Sequence, residues 1–387
     1  MNPIYLFLCL LFLSCNKVTN DKTIDSSATN SEESENDSDL DLSSIILPDG
    51  FKIEVYAENV DNARSMALSP SGTLFVSTRG AGNVYALQDL NNDYSIDTLY
   101  TILEDGTLPN GVAFKDGNLY VAEVDRVLKY ENIEDNLDDP SAPFIINEDY
   151  PSKRHHGWKY IAFGPDGKLY IPVGAPCNIC ESEDPIFNSI TRINDDGSNR
   201  EIIHKGVRNT VGFTWHPITG ELWFTDNGRD HMGEDMPACE LNRAPKDFMH
   251  FGYPYCHQGD ALDPEYGKPG DCDKYTAPVQ NLGAHVAPLG IEFYTGNMFP
   301  KSYKNNVAFI AEHGSWNRKK KNGYRIMMVK LDNDGNALSY EPFAYGWLND
   351  ENDDVWGRPV DIEWLPDGSM LISDDFANAI YRVTYTG

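Results

Sequence analysis

The sequence predicts an all-β fold, a six-bladed β-propeller with four-stranded antiparallel blades around a central channel. One unit recurs along the chain: an apolar residue, a short polar turn and an alternating strand. Its six copies lie at 67–77, 113–123, 162–174, 214–226, 305–314 and 363–375. A second strand follows most copies, and the period is about 45–60 residues where no insertion intervenes, as in four-stranded propeller blades.

The turn is the most regular part of each unit. Five copies have a turn glycine, which supplies the positive φ angle of a tight turn, at Gly72, Gly117, Gly167, Gly220 and Gly368. The fifth copy has Asn305 and Asn306 instead. The strand after each turn alternates or is continuously apolar, which predicts a buried inner strand. An open sandwich is also all-β, but it would not explain six similar units.

Two segments fall outside the repeat. Residues 227–304 separate the fourth and fifth copies and contain proline, glycine, cysteine and aromatic residues, which predicts a loop insertion on the functional face. Residues 1–14 form a short apolar run typical of an export signal. Residues 12–15 resemble a bacterial lipobox, which would make Cys15 the lipidated first residue; the alternative is an ordinary cleaved signal peptide.

The remaining organisation follows from composition. Residues 15–44 are rich in serine, asparagine, aspartate and glutamate, so we expect the lipidated cysteine and a disordered acidic tether, followed by the propeller at 45–387. The net charge of −29 argues against nucleic acid, because phosphate binding needs lysine and arginine. It also disfavours an anionic membrane surface, which leaves the lipid as the expected membrane contact of an exported, membrane-anchored protein.

The cysteines agree with export to an oxidising compartment. Cys256 and Cys272 are predicted to close a disulfide around a polar loop. Cys177 and Cys180 form a CxxC motif, which we interpret as a local disulfide, with a redox site as the alternative. Cys239 is then unpaired.

Polar clusters stand at equivalent positions next to the repeats. His156 lies just before the third copy, and Arg208 and Asn209 lie just before the fourth. Residues 225–230 and 312–318 follow strands, and Arg358 precedes the sixth copy. Because equivalent positions converge on the axis of a closed ring, these residues predict one site. Histidine can act as a base near pH 7, arginine binds carboxylates, and oxygen ligands after the Asn227 turn would suit calcium.

At these residues the chain resembles the pyrroloquinoline quinone (PQQ)-dependent soluble aldose dehydrogenase superfamily, most closely the L-sorbosone dehydrogenase branch. The similarity covers about residues 47–385. It is carried by H-G-W-x-x-x-x-F-G-P-D-G-K-L-Y at 156–170, G-V-R-N at 206–209, D-N-G-R-D at 226–230, E-L-N-R-A-P at 240–245, H-F-G-Y-P-Y-C at 250–256, A-E-H-G-S-W-N-R at 311–318 and W-G-R-P-V-D at 356–361.

The resemblance implies an exported dehydrogenase that oxidises a sugar or sugar-derived aldehyde by hydride transfer to PQQ, with Ca²⁺ as second cofactor and an exported electron acceptor. His156 matches the general base. Arg208 and Asn209 match the pair at the reactive carbonyls of PQQ, and Arg208 would also stabilise developing charge. Asn227, Arg318 and Arg358 match residues that contact the cofactor. Gly228 and Arg229 match residues whose main-chain carbonyls bind calcium.

Three positions depart from the family pattern. Val360 stands where the soluble glucose enzymes have a second arginine, Pro109 replaces an amide residue, and Cys239 stands where a carboxylate is usual. Two other functions therefore stay open. One is a non-catalytic propeller that binds carbohydrate or protein, and the other is a calcium-dependent sugar lactonase.

Overall fold

The computed structural model describes residues 40–387. The predicted signal segment, Cys15 and most of the predicted tether lie outside these residues. Within them, helix is limited to four short 3₁₀ segments, at Leu42–Ser44, Ile133–Asp135, Cys272–Lys274 and Lys301–Tyr303. None of the helices in this part of the chain is long and apolar enough to cross a membrane.

Six sheets, antiparallel except for one added two-residue strand in the third, confirm the predicted propeller. The strand β1 (Phe51–Ala57) belongs to the last sheet. The first sheet, in spatial order, contains β2 (Ala63–Leu68), β3 (Leu74–Thr78), β4 (Val84–Gln88) and β5 (Thr98–Leu103). The second contains β6 (Gly111–Lys115), β7 (Asn118–Ala122), β8 (Val127–Tyr130) and β9 (Phe144–Asn147).

The third and fourth sheets are joined by the inserted segment. The third contains β10 (Ala162–Phe163), β11 (Leu169–Val173), β12 (Ser189–Ile193), β13 (Glu201–Lys205) and an added fifth strand, β17 (Met249–His250). The fourth contains β14 (Phe213–Trp215), β15 (Leu222–Asp226), β16 (Ala238–Ala244) and β20 (Gln280–Ala284). A two-stranded hairpin in the insertion is formed by β18 (Cys256–His257) and β19 (Ala261–Leu262).

The last two sheets complete the ring. The fifth contains β21 (Pro288–Phe293), β22 (Val307–Glu312), β23 (Arg325–Leu331) and β24 (Ala337–Tyr345). A small hairpin of β25 (Leu348–Asn349) and β26 (Asp354–Val355) follows. The sixth contains β27 (Pro359–Trp364), β28 (Met370–Asp374), β29 (Ala379–Tyr385) and β1, so the two ends of the propeller are closed into one sheet.

The strand that follows each turn is buried, as predicted. The strand that follows each turn is second from the axis, and the strand that precedes the turn (β2, β6, β10, β14, β21 and β27) is innermost and contacts the innermost strands of neighbouring blades. The second strands are nevertheless almost completely buried, because the main apolar clusters lie between adjacent sheets. Burial on both faces therefore does not distinguish an axial strand from its neighbour.

Close approach of the innermost strands depends on glycine at two positions. A Cβ atom added to Gly212 would lie 2.0 Å from the carbonyl oxygen of Leu289, and one added to Gly290 would lie 2.4 Å from Oδ1 of Asp361. Neither distance is possible for a real side chain, so these glycines allow blades four, five and six to meet at the axis.

Two boundaries differ from the predictions. The interval 227–304 includes β16, β20 and β21, so only residues 245–279 are inserted, between β16 and β20. The contacts of the propeller also begin before Ile45, because Leu40 and Leu42 pack against the apolar cluster between blades five and six. Both predicted disulfides form, Cys177–Cys180 and Cys256–Cys272.

Candidate active site

A cavity of about 650 Å³ lies at one end of the propeller. Its wall is formed from the same two positions in several blades: the residues just before the innermost strand, and the residues just after the strand that is second from the axis. The predicted residues that line it are His156, Arg208, Asn209, Asn227, Gly228, Arg318 and Arg358. The structure therefore brings together seven residues from blades three to six, as their equivalent positions predicted.

His156 is held as a neutral base. Its Nδ1 lies 2.9 Å from the carbonyl oxygen of Ala175, which can only accept, so Nδ1 donates and Nε2 has its lone pair available. Burial, Arg208 and His155 lower the pKa of His156 to about 2. Its backbone has φ of 47°, in the left-handed region that non-glycine residues seldom adopt. The loop thus holds the ring in one tautomer beside a cation.

Gly174 and Ala175 connect His156 to Arg208. The N–H of Ala175 donates to the carbonyl oxygen of Arg208 at 2.8 Å, while its carbonyl accepts from His156. A Cβ atom on Gly174 would lie 2.6 Å from Cβ of His156 and 3.3 Å from the carbonyl oxygen of Arg208. The loop after β11 therefore sets the spacing between the two predicted catalytic residues.

Arg208 is buried and extensively hydrogen-bonded. It donates to the carbonyl and side-chain oxygens of Asn178 at 2.9 and 2.8 Å, to the carbonyl of Asn227 at 3.1 Å and to Asp230 at 3.1 Å. These bonds occupy four of its five N–H groups and leave one at Nη1. Arg208 therefore has a fixed orientation and one donor remaining for a ligand.

Asp226, which precedes the Asn227 turn, holds the backbone of the neighbouring loop in place. The backbone N–H groups of Arg208 and Asn209 donate to the two oxygens of this buried carboxylate at 2.8 and 2.7 Å. The side-chain amide of Asn227 donates to the carbonyls of Asn209 and Pro288. Among residues 40–387, the side-chain amide of Asn209 has no hydrogen-bond partner, so it is available to a ligand in the cavity.

The side chain of Arg229 points away from the cavity. It forms ion pairs with Asp263 at 2.6 Å and Glu265 at 3.2 Å, both in the inserted segment. His257 also contacts Asp263, at 2.9 Å. Of the two predicted calcium-binding residues, Gly228 lines the cavity and Arg229 does not; its side chain instead holds the inserted segment against the turn.

Arg358 belongs to an ionic cluster centred on Asp375. This buried carboxylate contacts Arg64 at 2.6 Å, Arg358 at 3.0 Å and His313 at 2.9 Å. Burial raises the pKa of Asp375, but its cationic neighbours outweigh burial and hold it well below the ordinary value. The ionised carboxylate thus connects three cavity-lining side chains, which come from blades one, five and six.

Arg318 is bound to the loop between β15 and β16. It donates to Asp235 at 3.1 Å, to the carbonyl of Glu234, and to the carbonyl of Lys320 at 3.2 Å. It lines the cavity as predicted, although much of its charge is used to hold that loop.

Residues 121–314 match the family model described as glucose / sorbosone dehydrogenase, and residues 261–386 match a model described as TrAA12-like. An uncharacterized protein of Borreliella burgdorferi is 35% identical over 361 residues, which are 89% of this chain and 91% of that protein. The chain belongs to the glucose/sorbosone dehydrogenase family.

More distant relatives agree with the family and the fold. A pyrroloquinoline quinone-dependent sugar dehydrogenase of Hypocrea jecorina is 23% identical, over 70% of this chain and 73% of that protein. The calcium structure of a Trichoderma reesei carbohydrate-active enzyme of family AA12 superposes with a TM-score of 0.75, at 20% identity, over 88% of this chain and 97% of that one. The superfamily is confirmed, and the sorbosone branch stays a prediction.

The departures from the family pattern have local explanations. Val360 is buried against Val211 and Leu289, with Trp158 beside them, so an apolar contact replaces a charge there. Pro109 is buried and lies outside the cavity wall. Cys239 is an unpaired thiol at the cavity wall, and burial raises its pKa to about 11.

Blade one supplies cavity residues that sequence reasoning missed, Arg64 and Arg79. The guanidinium of Arg79 lies 4.7 Å from the ring centroid of Trp158, and within residues 40–387 it forms no ion pair, although the charge of Asp375 acts on it from a distance. Burial and the nearby Arg64 lower the pKa of Arg79 to about 10. Arg79 follows β3 just as Asn227 follows β15, so extending the positional argument to the first copy would have found it.

Proposed function

We propose that this protein is a PQQ-dependent dehydrogenase that oxidises a sugar or a sugar-derived aldehyde. The observation that carries the proposal is one cavity that combines a neutral histidine with arginines in excess of their acidic partners. In a chain of net charge −29, seven cationic side chains line this cavity: Arg64, Arg79, Arg208, Arg318, Arg358, Lys319 and Lys321. Two acidic residues, Asp230 and Asp353, line it as well, and Asp375 and Asp235 pair with three of the arginines without lining the cavity.

The residues present fit PQQ, an aromatic tricycle with three carboxylates and an ortho-quinone. Arg79 and Arg358 are suited to its carboxylates, and Arg79 forms no ion pair in the described chain. The free amide of Asn209 and the remaining Nη1 donor of Arg208 are suited to its polar edge. A charge missing at Val360 is therefore offset by a guanidinium from blade one.

The chemistry assigned to the chain itself is proton transfer. When bound, PQQ would supply the two-electron acceptor for oxidation of the substrate. Nε2 of His156 takes the proton from a substrate hydroxyl, because Nδ1 is already donating to Ala175. Burial, reinforced by the nearby charge of Arg208, keeps the imidazole neutral before the proton arrives. Because the orientation of the ring is fixed, the imidazole does not have to rotate into position before the proton is transferred.

Calcium is the second proposed cofactor. Residues 40–387 contain no group of three or more histidine, cysteine or acidic side chains arranged to hold a metal ion. An ion at the Asn227 turn would therefore depend on main-chain oxygens of Gly228 and Arg229 and on oxygen atoms of the cofactor, which suit a hard cation.

Export and lipid anchoring are proposed on residues 1–44 alone. The apolar segment, Cys15 and the acidic tether would hold the propeller at a membrane surface, where an exported acceptor could collect electrons. Metabolic labelling with a fatty acid tests this, because Cys15→Ala should abolish incorporation. Labelling that persists in this variant would refute the anchor.

The function is tested with the full chain, PQQ, Ca²⁺ and an artificial dye. Dye reduction is measured with a panel of aldoses and sorbosone-like aldehydes. His156→Ala should bind PQQ and lose turnover, whereas His231→Ala, at an exposed histidine that does not line the cavity, should retain it. Absence of both PQQ binding and dye reduction would refute the dehydrogenase assignment, and full turnover by His156→Ala would refute the base.

A further inference from the structure

The CxxC motif forms a disulfide beside the active site. Cys177 and Cys180 lie in the segment between β11 and β12, which also contains Ala175, the residue that accepts the hydrogen bond of His156. No step of the proposed reaction uses the two sulfur atoms. Because Cys177 follows Ala175 so closely, the disulfide belongs to the segment that sets the spacing of the two predicted catalytic residues.

Asn178, which lies between the two cysteines, is a positioning residue for Arg208. Its carbonyl oxygen accepts from Nε of Arg208 at 2.9 Å, and its Oδ1 accepts from Nη2 of Arg208 at 2.8 Å. The same Oδ1 accepts from the backbone N–H of Asp230 at 2.9 Å, and its Nδ2 donates to the carbonyl of Asp230 at 3.1 Å. Asn178 therefore supplies two of the four acceptors that fix Arg208 and holds the loop after β15 as well.

Few contacts other than the disulfide hold the motif in place. Within the described chain, residues 176–183 form no hydrogen bond between main-chain groups. The hydroxyl of Tyr253 accepts from the backbone N–H of Cys180 at 3.1 Å, lies 3.7 Å from Sγ of Cys177 and donates to the carbonyl of Asn178 at 3.4 Å. The disulfide closes a ring across Asn178, which limits the backbone conformations of this residue. Once the ring is open, Tyr253 and Arg208 are the groups that still bond to the backbone of the motif within residues 40–387.

The Cys177–Cys180 disulfide is accessible to a thiol. Both cysteines are partly exposed, whereas Cys256 of the other disulfide is buried, with an exposure of 4%. A thiolate exchanges only with a sulfur atom that it can reach. The sequence separations also differ, 3 residues against 16, and a disulfide that closes a short loop contributes less to folding stability. By linkage the fold stabilises this disulfide less, so it opens at a lower concentration of reductant and leaves the propeller folded.

We propose that the Cys177–Cys180 disulfide is a thiol-exchange site through which a dithiol lowers the activity of the protein. The proposal rests on the proposed function for the reaction that is controlled. One thiolate of the dithiol attacks a sulfur atom of the disulfide, and its second thiol resolves the mixed disulfide that forms. The products are two cysteine thiols in the protein and one disulfide in the former dithiol, so two electrons and two protons pass to the protein. Asn178 then loses its fixed conformation, and Arg208 loses two of its acceptors.

The first test needs no turnover and uses the full chain, free of PQQ, with dithiothreitol as the dithiol. Alkylation of free thiols, followed by peptide mass spectrometry, should detect the two cysteines of the motif at a lower dithiothreitol concentration than Cys256 and Cys272. Hydrogen exchange should then be faster in the peptide that contains Asp230, because its backbone N–H donates to Asn178. Earlier opening of the Cys256–Cys272 disulfide, or unchanged exchange at Asp230, would overturn the proposal.

Kinetics then connect the disulfide with Arg208. The double variant Cys177→Ser/Cys180→Ser imitates the reduced protein without a thiol reagent that would itself reduce the quinone. In dye reduction by the PQQ-loaded protein, this variant and Asn178→Ala should each lower kcat by about tenfold, with little change in KM. Combining all three substitutions should lower kcat no further, because both changes act through Asn178.

Reoxidation is the control for damage by the reagent. Wild-type protein that is reduced, reoxidised with a disulfide reagent and then loaded with PQQ should regain its kcat. Wild-type kcat in the double serine variant, or additive losses in the combined variant, would overturn the proposal. An oxidised wild-type protein that reduces no dye would refute the proposed function, and hydrogen exchange at Asp230 would still decide whether the disulfide controls this loop.

Discussion

Gly174 lies where the loops of His156 and Arg208 meet, and a single methyl group there should impair catalysis. In Gly174→Ala, the new Cβ would be 2.6 Å from Cβ of His156 and 2.8 Å from its carbonyl oxygen. Ordinary carbon contacts are about 3.5–4.0 Å, so His156 must move by roughly 1 Å. A misplacement of that size can cost about a hundredfold in turnover. Overpacking should also lower the free energy of unfolding by about 1–3 kcal/mol.

Two assays measure these effects. Dye reduction by the PQQ-loaded protein gives kcat, and urea denaturation gives the free energy of unfolding. Gly80→Ala is the matched control, since Gly80 also has an ordinary φ angle and the nearest atom to its added Cβ is 3.5 Å away. Wild-type kcat in Gly174→Ala would show that the position of His156 does not limit the reaction, and would refute the reasoning.

Three further predictions concern the cofactor, pH and stability. Arg79→Ala should weaken PQQ binding by about 10–100-fold in an absorbance titration, because it removes a charge-assisted contact. Arg200→Ala is the control and should leave the affinity unchanged, because the guanidinium of Arg200 lies 5.3 Å over the ring of Tyr150 and outside the cavity. Equal affinities of the two variants for PQQ would contradict this prediction. Since the pKa of His156 is lowered to about 2, the base stays unprotonated as the pH falls from 8 to 5. The plot of kcat/KM against pH should therefore show no inflection near pH 6.5. An inflection there would show that this ring titrates as an ordinary histidine. Replacing Cys256 and Cys272 by serine should lower the free energy of unfolding by about 3 kcal/mol in urea, because their 16-residue separation restricts the unfolded chain; an unchanged midpoint would contradict it.

The propeller was predictable because its signals are local. A polar turn, with glycine in five of the six copies, and the strand after it are encoded within about ten residues, and six repetitions of this unit imply a closed ring. The order of strands from the axis was not predictable in this way. Both faces of the second strand are covered by adjacent blades, so its apolar pattern resembles that of an axial strand. The fifth strand of blade three comes from residues 249–250, far along the chain, and has no sequence signal.

The candidate site was predictable where a motif and a blade position coincide. His156, Arg208, Asn209 and Arg358 satisfy both conditions, and all four line the cavity. Arg79 satisfies only the positional condition. Arg229 satisfies the motif, yet its side chain faces away because Asp263, distant in sequence, lies behind it. Side-chain direction depends on such tertiary partners, which spacing along the chain does not reveal.

The central claim is that this cavity binds PQQ and that His156 removes the substrate proton. Rapid mixing of the PQQ-loaded protein with an oxidisable sugar, followed by absorbance of the cofactor, tests both parts together. The wild-type spectrum should change from oxidised to reduced PQQ, while His156→Ala should bind PQQ with similar affinity and remain oxidised. Failure of the wild-type protein to bind PQQ, or reduction of His156→Ala at the wild-type rate, would contradict the claim.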